Sequence, residues 1–242
     1  MKVKNILLAV LVIGLVIVLE IITMGYYQKS VAVEKNPIVT MELEKFGTVK
    51  MELYPELAPN TVLNFIKLVE DKFYDGLTFD RVIPDVLIQG GQDLKDEEEK
   101  QTFAIKGEFF VNGFEKNDLN HLEGTVSMAR ADYTGLNQGL ATEGYNSADT
   151  QFFISVTNTT GYNGTYAAFG RVIEGLDLIK DISNLKTTKD NNEEPVEQPV
   201  IKSMTVETFG VEYDEPERIA PFDIDEYVKN MYSNTNSIII PE

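Results

Sequence analysis

The first repeated pattern in the chain is an alternation of apolar and polar residues that predicts a β-hairpin. Val39, Met41 and Leu43 are apolar and each is followed by a polar residue, so their side chains lie on one face of an extended strand. A turn is expected at residues 44–47, and a second alternating run, GTVKMEL, begins there. We therefore expect two antiparallel strands joined by a short turn.

Two later stretches have the spacing of amphipathic helices. The first begins at Pro59, a residue type that is favoured at helix starts. Its apolar residues recur every three or four positions and are Val62, Phe65, Ile66 and Val69. In the second stretch, VIEGLDLIKDISN, apolar residues recur every three positions and are Ile173, Leu176, Ile179 and Ile182. Both stretches predict helices that cover a sheet.

Most other apolar runs are short and lie between glycine-rich and asparagine-rich turns. The runs TFAIKGEFF, GTVSMARA, TQFFISV and VIKSMTVETFGV are typical of strands. Many short strands with only two helices predict a mainly β domain, closed or nearly closed as a β-barrel, over residues 37–210. Residues 211–242 are predicted to form an acidic C-terminal tail, with a short docking helix around residues 222–232.

The N-terminal pattern differs, because residues 6–24 form a largely apolar run in which Glu20 is the only charged residue. At about 1.5 Å per residue this run spans roughly 28 Å as a helix, close to the hydrocarbon thickness of a bilayer. The sequence predicts a short cytoplasmic N-terminus (residues 1–5), a transmembrane signal-anchor helix (6–25) and a linker (26–36). Lys2 and Lys4 precede the run and favour a cytoplasmic N-terminus, which places the barrel outside the cytoplasm.

A cleaved secretion signal is the alternative interpretation of this N-terminus. The residues SVA at 30–32 have the small side chains that a signal peptidase prefers, so cleavage near Ala32 would release a secreted protein. We favour the uncleaved anchor, because the apolar run is longer than the usual core of a signal peptide.

Composition narrows the possible chemistry. Lys and Arg number 21 against 39 Asp and Glu, giving a net charge of −18, so a nucleic acid partner is not expected. The chain has no cysteine, which excludes disulfides, thiol nucleophiles and cysteine zinc sites. Its one histidine, His121, has no ligand-spaced neighbour and is interpreted as a surface or locally hydrogen-bonded residue. No metal or other cofactor is expected, and the chain is expected to be monomeric.

Arg81 stands out in the strand-like run FDRVIPDVLIQGGQD. By alternation Phe79, Arg81 and Ile83 share one strand face, which places a permanent cation among hydrophobic residues. One interpretation is a site arginine. The other is an ion-paired strand arginine, although the adjacent Asp80 is a poor partner because consecutive strand residues point to opposite faces.

Four motifs in fixed order resemble those of the cyclophilins, which are peptidyl-prolyl cis-trans isomerases. They are YDGLTFDRVIPDVLIQGGQD, IKGEFFVNGFEKNDLNHLEGTVSMARA, NSADTQFFISV and AAFGRVIEGLDLIKDI. The resemblance covers residues 37–210 and implies a closed eight-stranded antiparallel β-barrel capped by two α-helices. It also implies catalysis of rotation about X-Pro bonds, with proline-containing unfolded or exported polypeptides as partners.

The reaction needs a donor that favours the twisted amide, because the prolyl nitrogen becomes a better hydrogen-bond acceptor as resonance is lost. Arg81 is the candidate donor, and the resemblance implies that Gln89 orients it. The resemblance also implies that Leu87 and Phe153 line the proline pocket and that the backbone around Arg130 pairs with the substrate. The full set of predicted substrate-binding residues is Val86, Leu87, Ala129, Arg130, Ala131, Gln151, Phe153, Tyr162 and Tyr166.

Several pocket positions depart from the family pattern. Val86 lies where many relatives carry a phenylalanine, and Tyr162 and Tyr166 replace a common leucine and histidine. The loop at residues 132–145 is longer than in compact relatives. We expect catalysis to survive with altered substrate choice. The alternative is a non-catalytic module that holds proline-containing peptides, whereas a hydrolase using the acidic residues has no paired carboxylates to support it.

Overall fold

The computed structural model describes residues 13–20, 23, 35–92, 101–188 and 193–235. The chain divides into two compact units, Met1–Lys35 and Asn36–Glu242. In the first unit, residues 13–20 and 23 are helical. The predicted transmembrane segment (6–25) and linker (26–36) lie mostly outside the described residues. Within the described part, no helix is both long and apolar enough to span a bilayer.

The second unit contains one eight-stranded antiparallel sheet. Its strands in chain order are β1 (Ile38–Leu43), β2 (Gly47–Leu53), β3 (Arg81–Ile83), β4 (Leu87–Gly90), β5 (Thr125–Met128), β6 (Phe152–Ser155), β7 (Ala168–Glu174) and β8 (Ile201–Glu207). They are arranged in the order β3-β4-β6-β5-β7-β2-β1-β8. The helices are α1 (Pro59–Glu70), α2 (Ala141–Tyr145), α3 (Leu176–Ser183) and α4 (Ile224–Thr235). Single 3₁₀ turns lie at Phe110–Asn112, Gln138–Leu140 and Thr160–Tyr162.

The sheet curls into a barrel whose two edge strands, β3 and β8, share no ladder in the described residues. They approach each other around the isolated antiparallel bridge between Thr78 and Val200. Beside it, the Phe79 N–H donates to the Pro199 carbonyl (2.9 Å). The prediction of eight antiparallel strands is therefore confirmed. Full closure is not, because one bridge replaces the last strand pair.

The interior is built from the alternating residues that predicted the hairpin. Val39 and Met41 are fully buried, and the hairpin forms as expected. Phe65 of α1 packs among the rings of Tyr74, Phe152 and Phe169, with centroid distances of 5.0 to 5.3 Å. Because α1 and α3 both contribute fully buried residues to this core, the two predicted helices cover the barrel.

Two strand assignments from the sequence were wrong. The run TFAIKGEFF forms no strand, only isolated bridges at Ala104 and Ile105. The strand that the sequence did not predict is β7, and it includes Ile173, which was assigned to a helix and is instead 47% exposed. The helix begins only after Gly175, whose φ is +84°; a Cβ there would lie 2.7 Å from the Thr48 carbonyl oxygen. This glycine therefore turns the chain sharply from β7 into α3.

The C-terminal tail docks on the barrel through a short backbone bridge. Ile219 and Ala104 exchange both backbone hydrogen bonds (2.8 and 2.9 Å). Next to them, the Arg218 guanidinium lies 3.9 Å from the centroid of the Phe103 ring. The expected docking helix is α4, which begins just beyond Asp223; the carboxylate of Asp223 accepts a hydrogen bond from the backbone N–H of Glu226 (2.8 Å). The tail thus pairs with backbone groups of the run TFAIKGEFF, which was predicted to be a strand and forms none.

The N-terminus of α1 depends on a distant carboxylate, and removing it should destabilise the fold. Glu108 is 6% exposed and accepts from the N–H groups of Asn60 (3.0 Å) and Thr61 (2.7 Å) and from the Thr61 hydroxyl (2.6 Å). We predict that Glu108→Ala lowers the free energy of unfolding by about 2 to 3 kcal/mol, because buried donors lose a charged acceptor. Urea denaturation measures this, with the exposed Glu115→Ala as control; equal stabilities would contradict it.

Candidate active site

The floor of the candidate site is a row of side chains from three neighbouring strands. Arg81 on β3 pairs in register with Gln89 on β4, and Gln89 pairs with Phe153 on β6. Their chain neighbours Val82, Ile88 and Ile154 form the next row and are all 0% exposed. Because successive strand residues point to opposite faces, burial of the second row holds the first row on the outer wall.

This row forms the floor of an open cleft with a cavity volume of about 430 Å³. The lining residues are Arg81, Leu87, Gln89, Gln101, Ala129, Arg130, Ala131, Ser147, Asp149, Gln151, Phe153, Tyr162 and Tyr166. Every predicted site residue except Val86 is among them. Val86 is held in the turn between β3 and β4, where its N–H donates to Ile83 and its carbonyl accepts from Val156. The family resemblance assigned Val86 to the cleft, but the lining on this strand begins at the next residue, Leu87.

A chain of polar contacts crosses the floor. Arg81 donates from Nε to the Glu193 carboxylate (2.5 Å) and from Nη1 to the Gln89 side-chain oxygen (3.1 Å). The Gln89 amide in turn donates to the Gln151 side-chain oxygen (2.9 Å). Arg81 is thus ion-paired, as one interpretation of the sequence expected. Its partner is Glu193, far away in sequence, and Asp80 makes no ion pair with it.

Aromatic rings form one wall of the cleft. Phe153 makes edge contacts with Tyr162 and Tyr166, at centroid distances of 5.8 and 5.5 Å. The two tyrosine rings lie 5.1 Å apart and complete this wall, at positions where the family resemblance indicates a leucine and a histidine in many relatives. Behind Phe153 lies the ring of His121, stacked at 6.1 Å with an interplanar angle of 15°. The pocket is therefore backed by a second aromatic layer.

His121 is buried, which excludes the surface position, one of the two alternatives that the sequence left open. Its side chain is fully inaccessible, and its Nδ1 lies 3.3 Å from the side-chain oxygen of Asn163. Burial lowers the pKa of His121 to about 4, despite the opposing effect of that hydrogen bond. The imidazole is consequently neutral at physiological pH and supports Phe153 as an uncharged ring.

The segment from Ala129 to Ala131 borders the cleft with free backbone groups at its centre. The N–H groups of Ala129 and Ala131 are bound to the Gln151 carbonyl (2.9 Å) and the Ser147 hydroxyl (2.7 Å). Within the described residues, the N–H and carbonyl of Arg130 make no hydrogen bond. An extended peptide could pair with both groups.

The Arg130 side chain folds over the aromatic wall. Its guanidinium carbon lies 4.4 Å from the Tyr166 ring centroid and 5.1 Å from that of Tyr145. Nε also donates to the Thr165 carbonyl (3.0 Å). Both the charge and the flat face of the guanidinium are used, so a lysine could not replace this arginine.

Three lining residues were missed in the sequence: Gln101, Ser147 and Asp149. Burial raises the pKa of the Asp149 carboxyl, while backbone N–H groups at Thr150 and Gln151 oppose that shift. The polar run NSADTQ directly before β6 was a usable signal, because a short polar turn entering a site strand presents its side chains at the strand's edge.

Among the described residues, no group of three or more His, Asp or Glu side chains could hold a metal ion.

Comparison with known proteins agrees with this geometry. Residues 38–206 match the family model described as cyclophilin type peptidyl-prolyl cis-trans isomerase/CLD. A peptidyl-prolyl cis-trans isomerase of Acinetobacter baylyi is 34% identical over 182 residues, which is 73% of this chain and 87% of that protein. Peptidyl-prolyl cis-trans isomerase B of Bacillus subtilis is 38% identical over 148 residues, covering 61% of this chain and 92% of that protein.

Solved structures share the fold. A cyclophilin type isomerase of Cryptosporidium parvum superposes with a TM-score of 0.59 at 22% identity, covering 71% of this chain and 98% of that one. A second structure of that protein, in the presence of the dipeptide Ala-Pro, gives a TM-score of 0.56 at 24% identity. The curled eight-stranded barrel with an open cleft on its wall is thus a cyclophilin-like domain. The chain belongs to the cyclophilin type peptidyl-prolyl cis-trans isomerase family, and it is an isomerase.

The buried imidazole predicts a pH-dependent loss of stability. An unfolded chain protonates His121 near pH 6.5, whereas the folded ring stays neutral down to about pH 4, so unfolding takes up a proton between these values. We expect the free energy of unfolding to fall by about 2 kcal/mol between about pH 7.5 and about pH 5 from this residue. Urea denaturation at both values, with and without His121→Gln, measures that contribution.

The substitution isolates the histidine from other groups. Burial raises the pKa of Asp80 and Asp149, and their protonation in the folded state acts in the opposite direction as the pH falls. Both carboxyls are present in the wild type and in His121→Gln, so their effect cancels in the difference. Parallel pH curves for the two proteins would contradict the assignment.

Proposed function

We propose that this isomerase accelerates rotation about X-Pro bonds in exported polypeptides, with Arg81 as the group that stabilises the twisted amide. The observation that supports this most is the in-register row of Arg81, Gln89 and Phe153 along one cleft floor. It places a cationic donor, an orienting amide and an aromatic surface side by side. These are the three elements that the reaction needs.

The size of the barrier shows what Arg81 would contribute. Peptide bonds before proline rotate with a barrier near 20 kcal/mol, over tens to hundreds of seconds. Raising the rate to about a thousand per second requires roughly 7 kcal/mol of differential stabilisation. One charge-assisted hydrogen bond supplies about 1.5 to 3 kcal/mol. The remainder would come from removing water around the amide and from restraining the peptide.

The cleft offers a group for each of these tasks. In the described residues, Nη2 of Arg81 has no hydrogen-bond partner, so it is available to the prolyl nitrogen. Phe153 and the nearly buried Leu87 form an apolar floor for the proline ring. The unpaired backbone of Arg130 would hold the peptide on one side. The Ala-Pro structure of the Cryptosporidium parvum relative supports proline-containing ligands for this fold.

The tyrosine wall supports a distinct substrate preference. Tyr162 and Tyr166 line the cleft and each ring carries a hydroxyl group, so residues next to the proline would meet rings with polar tips. Val86 does not line the cleft, so this position adds no side chain to the proline pocket. We propose that the enzyme accepts large or aromatic residues beside proline.

Replacement of Arg81 tests the proposed chemistry. We expect Arg81→Ala in the full-length protein to lower kcat/KM about 10- to 100-fold, the equivalent of one charge-assisted hydrogen bond. NMR exchange spectroscopy of a short X-Pro peptide measures this at substoichiometric enzyme, with Arg218→Ala, outside the cleft, as control. A folded wild type that binds the peptide without accelerating exchange would favour a non-catalytic proline-peptide holder instead.

We also propose that the isomerase domain is held outside the cytoplasm by a single-pass signal-anchor at residues 6–25. The support is the sequence pattern alone: a long apolar run behind Lys2 and Lys4. Membranes washed with alkaline carbonate should retain the full-length chain, and protease added to spheroplasts should remove the domain. Release of a shortened chain that begins near residue 33 would instead establish cleavage, and a fully soluble full-length chain would exclude both.

A further inference from the structure

We propose that Glu193 is a positioning residue for Arg81, fixing the guanidinium in the orientation in which its remaining donor faces the substrate. The inference rests on the proposed role of Arg81 and adds a group that lies 112 positions further along the chain. Glu193 is not among the cleft-lining residues. It would therefore act through the arginine and have no contact with the peptide.

The contact itself is short and well placed. A Glu193 carboxylate oxygen lies 2.5 Å from Nε of Arg81, and the two side chains are 42% and 38% exposed. The same residue is also bound through its backbone, since its carbonyl accepts from the N–H of Val82 at 2.6 Å. Two adjacent residues of β3 thus bind Glu193: Arg81 binds its carboxylate and Val82 binds its backbone carbonyl. The position of its carboxylate is coupled to the edge of the strand that carries the arginine.

The segment around Glu193 is held by its own hydrogen bonds. The Glu194 carbonyl accepts from the Thr188 N–H (2.8 Å), and Val196 donates to the Lys186 carbonyl (2.9 Å). Thr187 and Pro195 form an isolated bridge between these two bonds. These contacts keep Glu193 at the edge of β3 independently of any ligand.

Two anchors are needed to orient a guanidinium. Arginine has a long side chain with several rotatable bonds, and a single acceptor leaves its plane free to rotate about that contact. Gln89 holds Nη1, and Glu193 holds Nε. With both in place the plane is defined, and in the described residues Nη2 is the nitrogen without a partner. Such preorganisation favours the transition state, because the donor needs no reorientation during rotation.

A carboxylate beside the donor also reduces its charge, and this effect acts against catalysis. Both side chains are partly exposed, however, so water screens the charge while the geometry of the hydrogen bond is kept. Orientation is therefore the larger effect. If charge reduction were larger, removing Glu193 would raise activity, and this difference in sign makes the proposal testable.

The kinetic test compares neighbouring carboxylates in the full-length protein. We expect Glu193→Gln to lower kcat about 3- to 10-fold with little change in KM, and Glu193→Ala to lower it at least as much. Glu194→Gln removes the same charge from the next residue, which faces Gln198 (3.3 Å), and should change kcat less than about 2-fold. Unchanged or increased kcat in Glu193→Gln, with normal thermal unfolding, would overturn the proposal.

A spectroscopic test follows the arginine directly. The Nε–Hε signal of Arg81, assigned by its absence in Arg81→Ala, should be shifted downfield and exchange slowly in the wild type and in Glu194→Gln. In Glu193→Gln and Glu193→Ala it should move upfield and exchange with water faster. A signal unaffected by loss of Glu193 would also overturn the proposal.

The two readouts separate the possible failures. Activity that is high in the wild type, lost in Arg81→Ala and unaffected by Glu193 substitution would reject the positioning role and leave the proposed function intact. A wild type without activity would reject the proposed function of Arg81, and the positioning role with it, while the NMR signal would still report whether the ion pair forms.

Discussion

The burial of one row of side chains fixes the candidate site. Val82, Ile88, Ile154 and Val126 lie side by side on β3, β4, β6 and β5, and all are 0% exposed. A slip of one residue in the β3–β4 pairing would turn Arg81 or Gln89 into the core, where an unpaired guanidinium or amide costs free energy. The hydrophobic core therefore selects the register, and the register places the site. The polar floor needs no separate mechanism to assemble it.

The parts of the structure set by local pattern were predictable, and those set by distant contacts were not. The alternation of apolar and polar residues predicted the hairpin, and the helical spacing of apolar residues predicted α1. Most cleft residues were predicted because they lie in motifs that resemble those of the cyclophilins. The run TFAIKGEFF has a strand-like composition but pairs only through isolated bridges. Ala104 pairs with Ile219 of the tail, and Ile105 pairs with Ala148. Tertiary context overrode local propensity there.

His121 and Glu193 show the same limit at the site. The burial of His121 was not predicted, because its hydrogen-bond partner, Asn163, is 42 positions away; the sequence indicated a surface or a locally hydrogen-bonded residue. Glu193 lies in a charged stretch whose composition is typical of a solvated loop. Its contact with Arg81 forms only in the folded chain. Asp80, the adjacent carboxylate, was not expected to pair with Arg81 and does not, but the actual partner could not be predicted from the sequence. Single contacts between segments far apart in the chain leave no periodic signal.

The ion pair at Arg81 is compatible with catalysis because of what the reaction demands. Rotation of an amide creates no net charge, in contrast to acyl transfer or phosphoryl transfer, so the site has no developing ion to neutralise. It requires a donor at a defined position when the prolyl nitrogen gains its lone pair. In its proposed role, Arg81 would share its charge with Glu193 and still supply that donor from Nη2, provided that its plane is fixed. For such a reaction the geometry of the guanidinium matters more than its full charge, and an acidic chain with a net charge of −18 can carry it out.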